Sequence, residues 1–224
     1  MSRTDLTARN APIVSDIAGR IKGEAPGACV IVVTNPVDEM TYLTWRACGL
    51  PPRRIMGMAG VLDNSRFIYF LKRLAGVRGE EVNAMVLGSH GDDMVPLPDW
   101  STVRGEPLSR HLGAGLEEVV RRTREAGAEI VGFLKTGSAY YAPAVAVGVM
   151  ALAVLGDTGR VLPVSAYLEG QYSLEGIFIG VPARLGREGV LEVLELPLSD
   201  REALSLRDAA AGIRERVSRL EASP

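Results

Sequence analysis

Cysteine, histidine, lysine and aromatic residues are all scarce in this chain. Two cysteines in 224 residues, Cys29 and Cys48, cannot build a disulfide framework. Their apolar sequence neighbours suit small buried thiols in a reducing compartment, so a cytoplasmic location is expected. With two histidines in the chain, a zinc site of three or four His, Cys or carboxylate donors is not expected. Lysine stands only at Lys22, Lys72 and Lys135. Basic and acidic residues nearly cancel, 25 against 27, so there is no basic excess to hold nucleic acid or an anionic membrane. The opening residues MSRTDLTARN lack the apolar core of a signal peptide. Also missing are the Gly-x-Gly-x-x-Gly turn, the Walker loop and the Gly-x-Ser-x-Gly elbow. The stretch 136–156 carries no charge, but Gly137, Pro143, Gly148 and many alanines favour a buried or subunit-contact helix over a membrane span.

What remains is ordinary globular material, 47% apolar and 23% charged, long enough to bury a large core without staples. Leu6, Ile13, Ile17 and Ile21 recur at helical spacing and predict a helix over 4–22, capped by Thr4 or Asp5. The β-branched run Cys29–Val33 predicts a strand buried on both faces, of the parallel type. A helix over 36–48 with Gly49 after it and a short strand over 55–58 complete a β–α–β rhythm. Beyond it, helices are expected over 62–75, 116–134, 143–155 and 201–220. Strands are expected over 82–87, 161–168, 177–185 and 190–196, with an irregular stretch from Pro96 to Pro107. The fold class is therefore α/β, an incomplete doubly wound parallel sheet followed by a mixed α+β part with antiparallel strands. The boundary falls near residue 61, giving domains 1–61 and 62–224.

Three polar stretches stand at element ends, where open α/β sheets bind ligands. Asn35 closes an apolar strand, and its amide can donate and accept; it reads equally as a turn residue before Pro36. Asp63 and Arg66, three apart on one helix, share a face, as a surface ion pair also would. His90 sits between glycines in Gly88-Ser89-His90-Gly91-Asp92, at a strand end, as a general acid–base should. His111 has no such setting and reads as a solvated surface residue. His90, Asp92 and Asp93 crowd together, but no second histidine is near, and no metal is expected there.

Taken together, VIVVTNPVD (30–38), IMGMAGVLDNSRF (55–67), VLGSHGDDMVPL (86–97) and KTGSAYYAPA (135–144) resemble the lactate/malate dehydrogenase family in order and spacing, over nearly the whole chain. The 58–63 segment and Ala139, where lactate enzymes usually carry threonine, are more similar to the malate branch. The resemblance implies an enzyme that moves hydride between NAD and the C2 carbon of malate or oxaloacetate. His90 matches the proton donor and acceptor. Asp63 matches the carboxylate that holds it, and Arg66 the clamp for the substrate's C1 carboxylate. Arg3 matches the mobile-loop arginine, and Asn35 the residue touching substrate and nicotinamide ribose. Val33 and Thr34 match backbone facing the cofactor, and Asn10 a helix asparagine beside it. The family also implies a homo-oligomer, dimer or tetramer, with a small-molecule substrate and neither nucleic acid nor membrane as partner.

The resemblance further implies a half-domain ahead of residue 1, holding the Gly-rich phosphate turn. The expectation is a shortened chain or misplaced start that binds NAD weakly and turns over little. Two alternatives stand beside the malate reading: a lactate or other 2-hydroxy acid dehydrogenase, and a non-catalytic remnant that only assembles.

Overall fold

The computed structural model describes residues 3–78, 81–91, 93–108 and 115–222, without the side chains of Arg3 and Thr4. The expectations placed on the side chains of Arg3 and Thr4, and on Asp92 and His111, therefore lie outside the described residues.

Helix α1 (Arg3–Glu24) leads to β1 (Val30–Val32), α2 (Val37–Cys48), β2 (Ile55–Gly57) and α3 (Gly60–Ala75). The stops are where backbone chemistry puts them: Gly49 and Gly76 close α2 and α3 at φ 58° and 66°, a left-handed conformation glycine adopts without strain. The parallel β1–β2 pair supplies the expected β–α–β unit. β1 is only partly buried rather than enclosed on both faces, because it ends the sheet and has β2 as its sole neighbour there.

The stretch 82–87 is not one strand. It divides into β3 (Val82–Asn83) and β4 (Val86–Gly88), which join different sheets. The stretch around Pro96 to Pro107 is not wholly irregular either: β5 (Met94–Pro96) pairs with β4, while β6 (Thr102–Val103) and β7 (Glu106–Pro107) build a small sheet with β3. The break at Ala84-Met85 carries no turn residue, and prolines within β5 and β7 hide them in sequence. Helices α4 (Gly115–Leu134) and α5 (Tyr141–Leu155) follow, then β8 (Arg160–Glu169), β9 (Glu175–Gly186) and β10 (Gly189–Val193). The last helix, α6 (Asp200–Glu221), opens on a capping box in which Ser199 and Glu202 satisfy each other's backbone N–H groups.

The main sheet runs β1-β2-β8-β9-β4-β5, with β10 on β9. It is parallel only at β1–β2 and antiparallel from β2–β8 onward. Register aligns Gly57, Ser165, Gly180 and Gly88 in one row across β2, β8, β9 and β4. This row of small residues is where α2 can settle against the sheet. A Cβ on Gly57 would come within 2.6 Å of Thr41 Oγ1 and 3.1 Å of Val37 Cγ2, both on α2. One side of the core gathers Met150, Val164, Ile179, Leu206 and Ile213 from α5, the sheet and α6. Another joins α1, α2 and Phe178, with the rings of Trp45, Tyr167 and Phe178 meeting at a tilt, at centroid distances of 4.8 and 5.2 Å in that order.

Candidate active site

Strand β4 ends at Gly88, whose φ of 86° turns the chain so that Ser89 and His90 stand at the mouth of the sheet. Asp63 lies in the first turn of α3 and is buried, 2% exposed. Its Oδ2 sits 2.7 Å from His90 Nδ1. A carboxylate at that distance fixes Nδ1 as the protonated nitrogen, so proton exchange with a ligand falls to Nε2. Arg66, one helical turn on, brings Nη1 to 3.5 Å from Asp63 Oδ1. Its Nε is buried with no hydrogen-bond partner, and its guanidinium lies beside Gly127 of α4. The structure thus brings His90, Asp63 and Arg66 into one cluster.

Two opposing influences act on the imidazole. Burial disfavours its charge, but the Asp63 carboxylate, through charge and hydrogen bond, and the more modest pull of Asp38 outweigh burial and the repulsion from Arg66. The net effect raises the His90 pKa above its ordinary value. The imidazolium therefore persists toward neutral pH.

Sequence reasoning missed Asp38, the second residue of α2, which is 1% exposed. Its Oδ1 accepts the Ser165 hydroxyl at 2.6 Å; its Oδ2 accepts the Ser89 hydroxyl at 2.9 Å and the His90 backbone N–H at 3.2 Å. Burial, and then the neighbouring Glu39 charge, push its carboxyl up to about 6 against the three donors. The one signal in sequence is Ser165 itself, the single serine in the apolar run of β8.

At the carboxyl end of β1, Val33, Thr34 and Asn35 are exposed, and Asn10 of α1 donates from Nδ2 to the Asn35 carbonyl at 2.7 Å. Asn35–Pro36 is a cis peptide. An exposed apolar Val33, 42% accessible, beside hydroxyl and amide groups fits a nicotinamide ring and its ribose, which are apolar on the face and polar at the rim. Among the described residues no group of three or more His, Cys, Asp or Glu side chains could hold a metal ion. The large cavity between β5, α4 and α6, lined by Met94, Arg124 and Glu202, takes in none of the His90 cluster. No helix of the described residues is long and apolar enough to cross a membrane.

Comparison with known proteins adds independent findings. Residues 60–223 match the lactate/malate dehydrogenase alpha/beta C-terminal domain, and residues 1–57 match the NAD binding domain of the same family. The malate dehydrogenase of Nostoc punctiforme is 51% identical over 220 residues, 98% of this chain and 67% of that protein. The solved malate dehydrogenase of Salinibacter ruber superposes with a TM-score of 0.94 at 43% identity, over 98% of this chain and 72% of that one. A lactate dehydrogenase from Cryptosporidium parvum, solved with lactic acid and nicotinamide adenine dinucleotide, has a TM-score of 0.96 at 39% identity, over 99% and 72%. The chain belongs to the lactate/malate dehydrogenase family and is an NAD-dependent oxidoreductase of the malate dehydrogenase type.

Proposed function

We propose that the chain interconverts malate and oxaloacetate, with His90 as the acid–base, Asp63 as its orienting carboxylate and Arg66 as the clamp on the substrate's C1 carboxylate. The observation that carries this reading is the 2.7 Å pairing of His90 Nδ1 with Asp63, one helical turn from a guanidinium that keeps an unsatisfied buried donor. NAD, when bound, supplies the hydride donor or acceptor. Every other requirement falls on side chains of this protein. Reduction of a C2 carbonyl adds hydride to carbon and leaves negative charge on oxygen. The imidazolium of His90 transfers the Nε2 proton to that oxygen and becomes neutral. In the opposite direction, neutral Nε2 takes the proton of the malate hydroxyl while hydride leaves C2. Asp63 stabilises the charged ring in both directions. The planar guanidinium of Arg66 meets a carboxylate with two parallel bonds, which fixes C2 at reacting distance.

The same reading gives Arg3 a substrate contact, Asn35 a contact to substrate and nicotinamide ribose, and Val33, Thr34 and Asn10 the cofactor edge. It divides the work between 1–61 on the cofactor side and 62–224 on the substrate and catalytic side. Malate is favoured over lactate because curated relatives at 51%, 50% and 48% identity are malate dehydrogenases. The reading includes a homo-oligomer, supported by exposed Ile13, Ile17, Val145, Leu152 and Leu155, and a cytoplasmic setting, supported by unpaired Cys29 and Cys48.

The test compares oxaloacetate with pyruvate in NADH oxidation by the purified chain. Weak turnover is expected, with oxaloacetate preferred over pyruvate, and His90→Gln should lower that kcat by a further factor of about 10²–10⁴, the usual worth of a positioned acid–base. Preference for pyruvate overturns the substrate. Turnover untouched by His90→Gln overturns the site. Oligomers that neither bind NADH nor turn over either acid would establish the assembling alternative.

A further inference from the structure

Three bonds converge on a carboxylate to which the proposed reaction assigns no step. Asp38 receives its donors from two distant parts of the chain: Ser165 from β8, and Ser89 with the His90 N–H from the end of β4. Ser89 and Ser165 are 2% and 0% exposed, so all three polar groups are withdrawn from water. A carboxylate is costly to bury unless it is fully bonded, and one so bonded holds its donors firmly. The sheet register permits the placement. Gly57 and Ser165 are paired across β2 and β8, and the bare Gly57 lets Val37 and Thr41 of α2 close on the sheet, which brings Asp38 to Ser165.

The far side of the same turn is also tied. Arg216 of α6 pairs with buried Glu39, next to Asp38, and reaches within 3.9 Å of Asp93, three residues beyond His90. The turn bearing the imidazole is thus held at its start by Asp38 and near its end by Arg216.

We propose that Asp38 is a positioning residue for His90, setting the ring's place against Asp63 through the His90 N–H and the Ser89 hydroxyl, and lending a second negative charge to the imidazolium. The proposal rests on the reading of His90 as the acid–base, but it can fail separately. The charged groups that face the ring are Asp63 and Arg66 from α3 and Asp38 from α2; Glu39 and Arg216 stand behind Asp38. Of these, Asp63 and Asp38 favour the charged ring and Arg66 opposes it, as does burial.

Asp38→Asn separates bond from charge. An amide can turn its oxygen toward Ser89 and the His90 N–H and its NH₂ toward the Ser165 oxygen, so every bond can survive while the charge is lost. Asp38→Ala removes both. With two histidines in the chain, imidazole NMR resolves His90 once His111→Gln identifies the other signal. The expected result is a His90 titration midpoint lower in Asp38→Asn than in the parent, with KM for oxaloacetate within about twofold and the pH–rate limb displaced the same way. Asp38→Ala should lower kcat at least tenfold, within the roughly 10²-fold range of a misplaced reacting group. A folded Asp38→Asn whose His90 midpoint and pH profile superimpose on the parent's overturns the proposal.

A second measurement needs no variant. The His90 backbone amide should follow the ionisation of Asp38 in the parent protein, with an inflection near about 6, apart from that of the ring. An amide that moves only with the ring would also overturn the proposal. If the His90 midpoint falls in Asp38→Asn while the parent turns over no oxaloacetate, the positioning role stands and the substrate reading fails. If turnover depends on His90 and the midpoint does not move, the reverse holds.

Discussion

His90 is poised because burial and its carboxylate neighbours act on the ring in opposite directions. Burial alone would leave a neutral imidazole, a poor proton donor at neutral pH. Asp63 at 2.7 Å, with Asp38 behind it, restores the charge against the opposition of Arg66. The sign of the pH dependence follows. The raised pKa keeps the ring charged past its ordinary range, so in the proposed acid–base role oxaloacetate reduction, which would consume the imidazolium, should run at low pH and be lost as pH rises through the raised value. Malate oxidation, which needs the neutral ring, is lost as pH falls through that value. Asp63→Asn removes the largest influence raising the pKa, and both limbs should move to lower pH together. The kcat/KM profile measured in both directions checks this, and limbs that stay in place in that variant would show that Asp63 does not govern the ring. His90, Asp63 and Arg66 were legible in sequence because each sits inside a motif, at a strand end or on one helix face. Asp38 stood in a quoted motif as well, but its partners Ser89 and Ser165 lie 51 and 127 residues away, and only the fold brings them near.

The elements show the same division. Long helices and the β8–β9 hairpin could be read from period and stop signals, since each is long enough to repeat its pattern. Strands β3 to β7 could not, at two or three residues each, with prolines among them. These short strands nonetheless aim the site. β4 joins the main sheet through Gly88 against Gly180, and a Cβ on Gly180 would collide with the Gly88 carbonyl oxygen. No rotamer relieves a clash with backbone, so Gly180→Ala must push β4, and with it His90, away from β9. Overpacking of this kind costs about 1–3 kcal/mol, which in a chain of this size lowers Tm by roughly 3–10 °C. A calorimetric scan beside a turnover assay checks it. An unchanged Tm with full activity would mean that the approach of the two strands is looser than the register implies.

At the scale of the molecule, two helices carry large apolar side chains that the described residues leave uncovered. α1 exposes Ile13 and Ile17 at 57% and 56%, and α5, which carries no charge along its length, exposes Val145, Leu152 and Leu155 at 68–74%. Large aliphatic side chains exposed together mark a contact site rather than a solvated face. α5 also packs its other side, through Ala146, Met150 and Ala153, into the core beneath the sheet that carries His90. A contact that covers the outer side of α5 therefore rigidifies the support of the site from behind, and assembly and turnover should fall together. Leu152→Glu places a charge on the outer side while leaving the core contacts intact. A carboxylate buried without a partner costs several kcal/mol, more than most single contacts supply. The parent is expected to elute at a multiple of its 24.0 kDa mass, and the variant at 24.0 kDa with reduced turnover but the same far-ultraviolet dichroism. Light scattering across a concentration series decides it. A parent already monomeric at tens of micromolar, or a variant that assembles as the parent does, would remove α5 as the contact.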